Sequence, residues 1–342
     1  METPVDRPAS AGQDRVIAYL DLVAARDLTG ARALVMAELL TDGDGLTRLI
    51  DRLLVPAMAE VGERWYQGRW NAAQEHVASG VTERALSAAS VRARSRRPAA
   101  DAPTVVVACP RGEGHLLPAR FLAELLLEAG ADVIVLGPPL PDRDLATYLA
   151  ETRPTALVLS CTEPLALPGV RDAIAASHSA QVPVLTGGAG LGPDERRARA
   201  LGADGWAATA QEAMGALREW REQPPALAVA GAEDREVSAL RRLRDSFVDD
   251  VLGMLMQRID PVGAHGARER EQARSDLKLV ISSLSCALLG DDDRLFTAFV
   301  AWSRGLLAAR GINGGVIDES LAVVNDVLGP GFPASHRLLT TA

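Results

Sequence analysis

Thr104-Val105-Val106-Val107-Ala108-Cys109-Pro110-Arg111-Gly112-Glu113-Gly114-His115-Leu116-Leu117-Pro118 decides how this chain folds. It opens as a short, unbroken run rich in β-branched residues, passes through a glycine-rich loop, and re-emerges with helical spacing. Three similar runs follow: Asp132-Val133-Ile134-Val135-Leu136, Ala156-Leu157-Val158-Leu159-Ser160 and Val182-Pro183-Val184-Leu185. A weaker one lies near Gly202 to Ala208. Helical patterns beginning at Leu116, Asp142, Gly169 and Pro193 separate them. Nearly continuous apolar strands alternating with helices predict a parallel sheet covered on both faces. Ligands of such sheets sit beyond the carboxyl ends of the strands.

Outward from this segment the pattern is helical on both sides. Before it, apolar residues recur at helical spacing over Asp14–Ala25, Leu28–Leu40, Asp44–Arg64 and Asn71–Ala93, predicting a four-helix bundle with a kink at Pro56. After it, Glu236–Ile259, Gln272–Leu289, Arg294–Ala309 and Ile317–Leu328 read as helices, with Asp291-Asp292-Asp293 placed to cap the third. Proline-rich breaks at Ser95–Pro103 and Glu222–Ala232 divide the chain into three expected domains. These are a bundle over 1–98, a Rossmann-like (flavodoxin-like) α/β domain over 99–222 and an all-helical domain over 233–342.

Composition narrows the function. The 342 residues carry 45 acids against 36 bases, a formal charge of −9, which disfavours a general nucleic-acid binder. No apolar run approaches membrane length, no secretory signal pattern opens the chain, and three scattered cysteines make no disulfide framework. These features predict a cytoplasmic protein with reduced thiols, no membrane partner and no nucleic-acid partner.

The chemistry concentrates at the strand ends. His115 follows the first strand, two residues after the carboxylate Glu113. A carboxylate that accepts the imidazole N–H sets the tautomer and raises the basicity of the other nitrogen, as a metal-ligating histidine requires. Ser160 and Thr162 end the third strand with hydroxyls, and Gly187-Gly188 follow the fourth, where glycines allow a bulky ligand or merely a tight turn. A lone histidine in a loop is more often a surface residue, and each motif alone is weak.

Taken in order, Glu113-x-His115-x-x-Pro118, Leu136-Gly137, Ser160-x-Thr162 and Gly187-Gly188 resemble the cobalamin-binding domains of methionine synthase, mutases, corrinoid methyltransferase proteins and B12 photoreceptors. The usual Asp-x-His-x-x-Gly is altered twice, to Glu113 and Pro118. The resemblance implies that His115 is the lower axial ligand of cobalt, with the benzimidazole tail near Gly137, Ser160, Thr162, Gly187 and Gly188. In the bundle, Trp65 with Glu75-His76 resembles the cap of adenosylcobalamin-dependent CarH-type photoreceptors, implying that these three contact the adenosyl group over the upper corrin face. Read without that resemblance, the same residues are a core Trp and a solvent-facing pair pointing in different directions. Tyr66 stands where that type can carry a second cobalt-ligating histidine.

The order of bundle, cobalamin domain and helical domain resembles the photocobilins, photoreceptors that also bind a bilin. This implies biliverdin in the third domain, with His265, Asp276, Ser283, Cys286, Trp302 and Arg304 as candidate contacts. The resulting expectation is a light sensor rather than an enzyme. It would bind adenosylcobalamin, lose the adenosyl group on illumination, assemble as a homo-oligomer (a dimer) and signal to an effector. The alternatives are a corrinoid carrier for methyl transfer and a light-independent sensor of adenosylcobalamin.

Overall fold

The computed structural model describes residues 11–40, 45–93, 99–229, 231, 235–259 and 266–342. They fall into two compact units. One comprises the residues up to Ala102 with Arg120–Ala131, the other Pro103–Ala119 with Asp132–Ala342.

The first unit is built on α1 (Ala11–Ala24), α2 (Leu28–Leu40), α3 (Gly45–Leu49), α4 (Val55–Tyr66) and α5 (Ala72–Ala93). A π-helical segment, Ile50–Leu54, joins α3 to α4, so the expected long third helix is continuous. Its irregularity sits where Pro56 was expected to act. Proline offers no N–H and crowds the preceding turn, and the wider turn closes instead from the Val55 N–H to the Ile50 carbonyl. Tyr19, Leu20, Leu49, Ile50, Leu54 and Leu86 are fully buried between the helices. Among them the Tyr19 hydroxyl meets Thr82 Oγ1 at 3.0 Å, giving each buried polar group a partner.

The second unit contains a five-stranded parallel sheet: β1 (Thr104–Ala108), β2 (Asp132–Val135), β3 (Ala156–Ser160), β4 (Val184–Gly187) and β5 (Gly205–Trp206), in the order β2-β1-β3-β4-β5. The β1–β3 pairing aligns Val106 with Leu157, and the β3–β4 pairing aligns Ser160 with Gly187. β4 begins two residues later than its apolar run. Pro183 has no N–H to give a ladder, although its carbonyl still accepts from Leu157 N at 2.9 Å. The connections are α6 (Leu116–Glu128), α7 (Asp142–Thr152), α8 (Leu167–Ser179) and α9 (Arg196–Leu201), with α10 (Ala210–Glu222) after the last strand.

The same unit continues through α11 (Arg235–Ile259), α12 (Ala267–Leu289), α13 (Asp293–Ala309), α14 (Gly315–Val327) and α15 (Pro333–Thr341). These helices share one apolar core with the sheet: Val106, Leu157, Leu167 and Leu201 belong to the same cluster as Val237, Leu284, Phe296 and Val324. Asp292 caps α13 by accepting from Arg294 N, as its sequence position predicts. No sequence pattern predicts α15. Its first amides, from Ala334 and Ser335, both donate at 2.9 Å to the buried carboxylate of Glu236 on α11.

Candidate functional site

Strand order places the site. β1 and β3 are neighbours whose outgoing connections lead to opposite sides, and the crevice beyond their carboxyl ends is where such sheets take ligands. The loop after β1 carries Glu113 and His115; β3 ends on Ser160, and the loop after it carries Thr162 and Glu163.

Glu113 is fully buried there, and four N–H groups converge on its carboxylate. Oε1 accepts from His115 N and from His115 Nδ1, both at 2.7 Å. Oε2 accepts from the backbone N–H of Thr162 at 2.6 Å and of Glu163 at 2.8 Å. Burial pushes this carboxyl up, but the His115 hydrogen bond and the three backbone donors outweigh it and hold it below its ordinary range. Glu113 is therefore ionised at neutral pH. A proton on Nδ1, shared with that carboxylate, leaves the lone pair on Nε2. The His115 ring remains half exposed, at 52% of its side-chain surface.

The neighbouring thiols do not compete as ligands. Burial first, and the Glu113 charge second, push Cys109 up to about 12. Cys161 is pushed up in the same direction by the same causes. Both stay protonated, and a thiol binds metal as its thiolate.

The expected glycines divide into two kinds. Gly188 has φ +102°, and a Cβ on it would stand 2.4 Å from the Cys161 carbonyl oxygen; a Cβ on Gly187 would stand 2.7 Å from that of Ala207. Both are demanded by the packing of the chain on itself, which is the tight-turn reading. Gly137 is different, for a Cβ there would meet nothing within 4 Å. It lines a cleft of about 300 Å³, counting its open mouth, together with Cys109, Pro110, Leu136, Leu140 and Leu145. Ser160 is buried at the end of β3, and Thr162 contributes its amide to Glu113 rather than a hydroxyl contact of its own.

Sequence reasoning missed Glu163 and Gly169. Glu163 supplies one of the amides on Glu113. Gly169, in the first turn of α8, lies so close to the β1–α6 loop that a Cβ would stand 1.9 Å from the Arg111 carbonyl oxygen. Arg111 is held from two sides, by Asp142 at 3.0 Å and Asp172 at 2.5 Å. A glycine at the start of a predicted helix was the one available signal.

In the first unit, Trp65 lies in the last turn of α4, Glu75 in the first turn of α5 and His76 directly after it, on either side of one short turn. Glu75 and His76 do not point apart. Glu75 Oε2 lies 2.5 Å from His76 Nδ1, while Oε1 accepts from Ser79 Oγ at 2.8 Å.

Of the candidate bilin contacts, three lie on α12 and two on α13. Asp276 is exposed on α12 and bonded to Gln272; Ser283 and Cys286 are buried in the interior of that helix. Trp302 is exposed and tilted against Phe299, and Arg304 is bonded to Asp318 and to the Ala342 carbonyl. His265 lies outside the described residues.

Among the described residues no group of three or more His, Cys, Asp or Glu could hold a metal ion by itself. One oriented imidazole suits a metal that arrives with its own equatorial ligands, and a corrin supplies four nitrogens. The donor set therefore fits a corrinoid.

Comparison with known proteins agrees. Two families, each described as a B12 binding domain, match the chain, one over residues 103–218 and the other over residues 18–89. No curated protein sequence matches it. The monomethylamine corrinoid protein of Methanosarcina barkeri is 18% identical and covers 61% of this chain and 99% of its own, with a TM-score of 0.52. The two share a fold. A cobalamin-binding protein from Desulfitobacterium hafniense is 21% identical over 60% of this chain and 98% of its own, with a TM-score of 0.32. The methanol:cobalamin methyltransferase complex MtaBC of Methanosarcina barkeri is 15% identical over 66% and 88%, with a TM-score of 0.34. Among the described residues no helix is long and apolar enough to cross a membrane.

Proposed function

We propose, for a chain that is a cobalamin-binding protein by both of its family matches, that it holds its corrinoid through His115 and serves as the protein carrier of that cofactor. The observation that carries this reading is the Glu113–His115 pair, a buried, ionised carboxylate that sets the imidazole tautomer at the switch point of the sheet. The fold shared with the monomethylamine corrinoid protein supports it. When bound, a corrinoid supplies a cobalt–carbon bond that can be formed, transferred or broken by light. His115 would hold its cobalt through Nε2. Glu113 orients the ring and compensates positive charge gained on it. The amides of Thr162 and Glu163 keep that carboxylate ionised, and Gly137 leaves backbone open beside the β1–β2 cleft.

A second reading, a light sensor, rests on one observation: Trp65, Glu75 and His76 flank a single turn of the bundle. In this reading the three recognise an adenosyl group, and α11–α15, beyond both family matches, carry the output or a biliverdin. The protein would then act as an oligomer whose state changes with illumination.

Absorption spectroscopy of purified protein loaded with methyl- or adenosylcobalamin tests both readings. We expect the spectrum of a histidine-ligated corrinoid, lost in His115→Ala. Uptake with an unchanged spectrum in that variant would sink the ligand assignment. Equal affinity for the two cobalamins and the same oligomeric state in dark and light would support the carrier. Preference for adenosylcobalamin, retention of added biliverdin and a light-dependent oligomeric state would replace it with the sensor.

A further inference from the structure

We propose that Arg197 and Asp292, remote from the cobalamin site and outside its motifs, are positioning residues for His115. This rests on the assignment of His115 as the cobalt ligand. Arg197 and Asp292 form a buried ion pair. Asp292 Oδ2 accepts from Arg197 Nε and lies as close to Nη2, both at 3.0 Å, with both side chains withdrawn from solvent. The remaining arm of the guanidinium, Nη1, donates at 2.9 Å to the carbonyl of Gly190, in the loop after β4.

From Gly190 the hydrogen bonds run on without a gap. Gly190 N donates to the Cys161 carbonyl at 3.0 Å. The next two residues, Thr162 and Glu163, turn their amides onto Glu113, which holds His115 Nδ1. The contact is close as well as bonded, since a Cβ on Gly190 would stand 3.0 Å from Cys161 Sγ and 3.1 Å from the Glu163 carbonyl carbon. The loop after β4 is thus a clamp on the two amides that grip Glu113, and Arg197 holds the clamp.

Asp292 fixes Arg197 from the turn between α12 and α13. A Cβ on Gly290, in that turn, would lie 3.4 Å from both Arg197 Cγ and Leu167 Cδ1. The planar fork of arginine serves a carboxylate on one edge and a carbonyl on another, which a lysine ammonium on its flexible stem does not match. The C-terminal helices therefore take part in orienting the ligand. Coupling of this kind is reciprocal: whatever shifts the α12–α13 turn changes ligation, and ligation shifts that turn.

The experiment compares wild type, Arg197→Lys and the double variant Arg197→Met/Asp292→Leu. The double variant exchanges a buried ion pair for apolar side chains, which proteins tolerate better than one orphaned charge. Because Asp292 also caps α13 and accepts from the Arg294 guanidinium, Arg294→Ala, which removes that second pair while leaving Arg197 bonded, is measured beside it and should match wild type. Arg258→Ala, which breaks the exposed pair with Asp326, is the control. Two readouts are taken at one pH. The first is hydrogen exchange of the Thr162 and Glu163 amides without cofactor; the second is the ratio of histidine-ligated to unligated spectra with cobalamin. We expect both amides to exchange about tenfold faster in the double variant and the ligated fraction to fall by a similar factor. Arg197→Lys should lie between, and Arg258→Ala should match wild type. Folded variants with wild-type exchange and wild-type ratio would overturn the proposal. If wild type shows no histidine-ligated spectrum, the ligand assignment fails and this proposal with it. If that spectrum is present and lost in His115→Ala while the double variant leaves both readouts unchanged, the assignment stands and the positioning role fails.

Discussion

A carboxylate withdrawn from water is costly unless donors replace its hydration. Glu113 meets that cost with four N–H groups, three of them from the backbone. Two of the four come from a strand end some fifty residues away, so the sequence displays the Glu–His spacing but not what makes the pair workable. Glycine poses the reverse problem, because a glycine required by packing and one kept for a ligand are written alike. Their three-dimensional neighbours separate them. Gly188→Ala should destabilise the protein by about 1–3 kcal/mol from backbone strain alone, its φ of +102° and ψ of 163° being a conformation open essentially to glycine, with the clash against Cys161 added. Gly137→Ala, whose new methyl meets no protein atom, should leave the urea midpoint unchanged and weaken cobalamin binding. Unaltered affinity in a stable Gly137→Ala protein would remove Gly137 from the site.

Among elements, α8 does more than cross over between strands. Its first turn lies against the backbone of the loop that carries Glu113 and His115, with Gly169 at the point of nearest approach. Gly169→Ala must push the helix and the loop apart. Overpacking of this kind costs about 1–3 kcal/mol, so urea denaturation should show that loss together with poorer retention of cobalamin. Gly215→Ala in α10, where a methyl meets nothing, is the matched control. It should gain about 0.5–1 kcal/mol from helix propensity. Equal effects of the two substitutions would mean that the loop yields freely to α8. The strands and most of the helices were legible from period and β-branching alone, α10 and α15 being the exceptions. The late start of β4 was legible too, once the missing N–H of Pro183 is counted. The cap of α15 was not, because its carboxylate comes from Glu236, almost a hundred residues earlier.

For the molecule as a whole, the break at Glu222–Ala232 separates two patterns in the sequence but not two cores in space. Leu167 and Leu201 share an apolar cluster with Val237, Leu284 and Phe296, and the Arg197–Asp292 pair bridges the same boundary. The sheet and α11–α15 should therefore unfold together. In the full-length chain, the transition followed by exchange of β1 and β3 amides should coincide with that of α12 and α13 amides. Separate midpoints would show that the C-terminal helices form a domain of their own. Local order sufficed to announce the bundle, the parallel sheet and the pairing of Glu113 with His115 beyond a strand end, since period, β-branching and residue spacing act over a few neighbours. Which glycines serve the fold, which amides hold Glu113 and which helices complete the core were decided only by tertiary structure. Those depend on contacts between residues tens of positions apart, whose meeting no local pattern records.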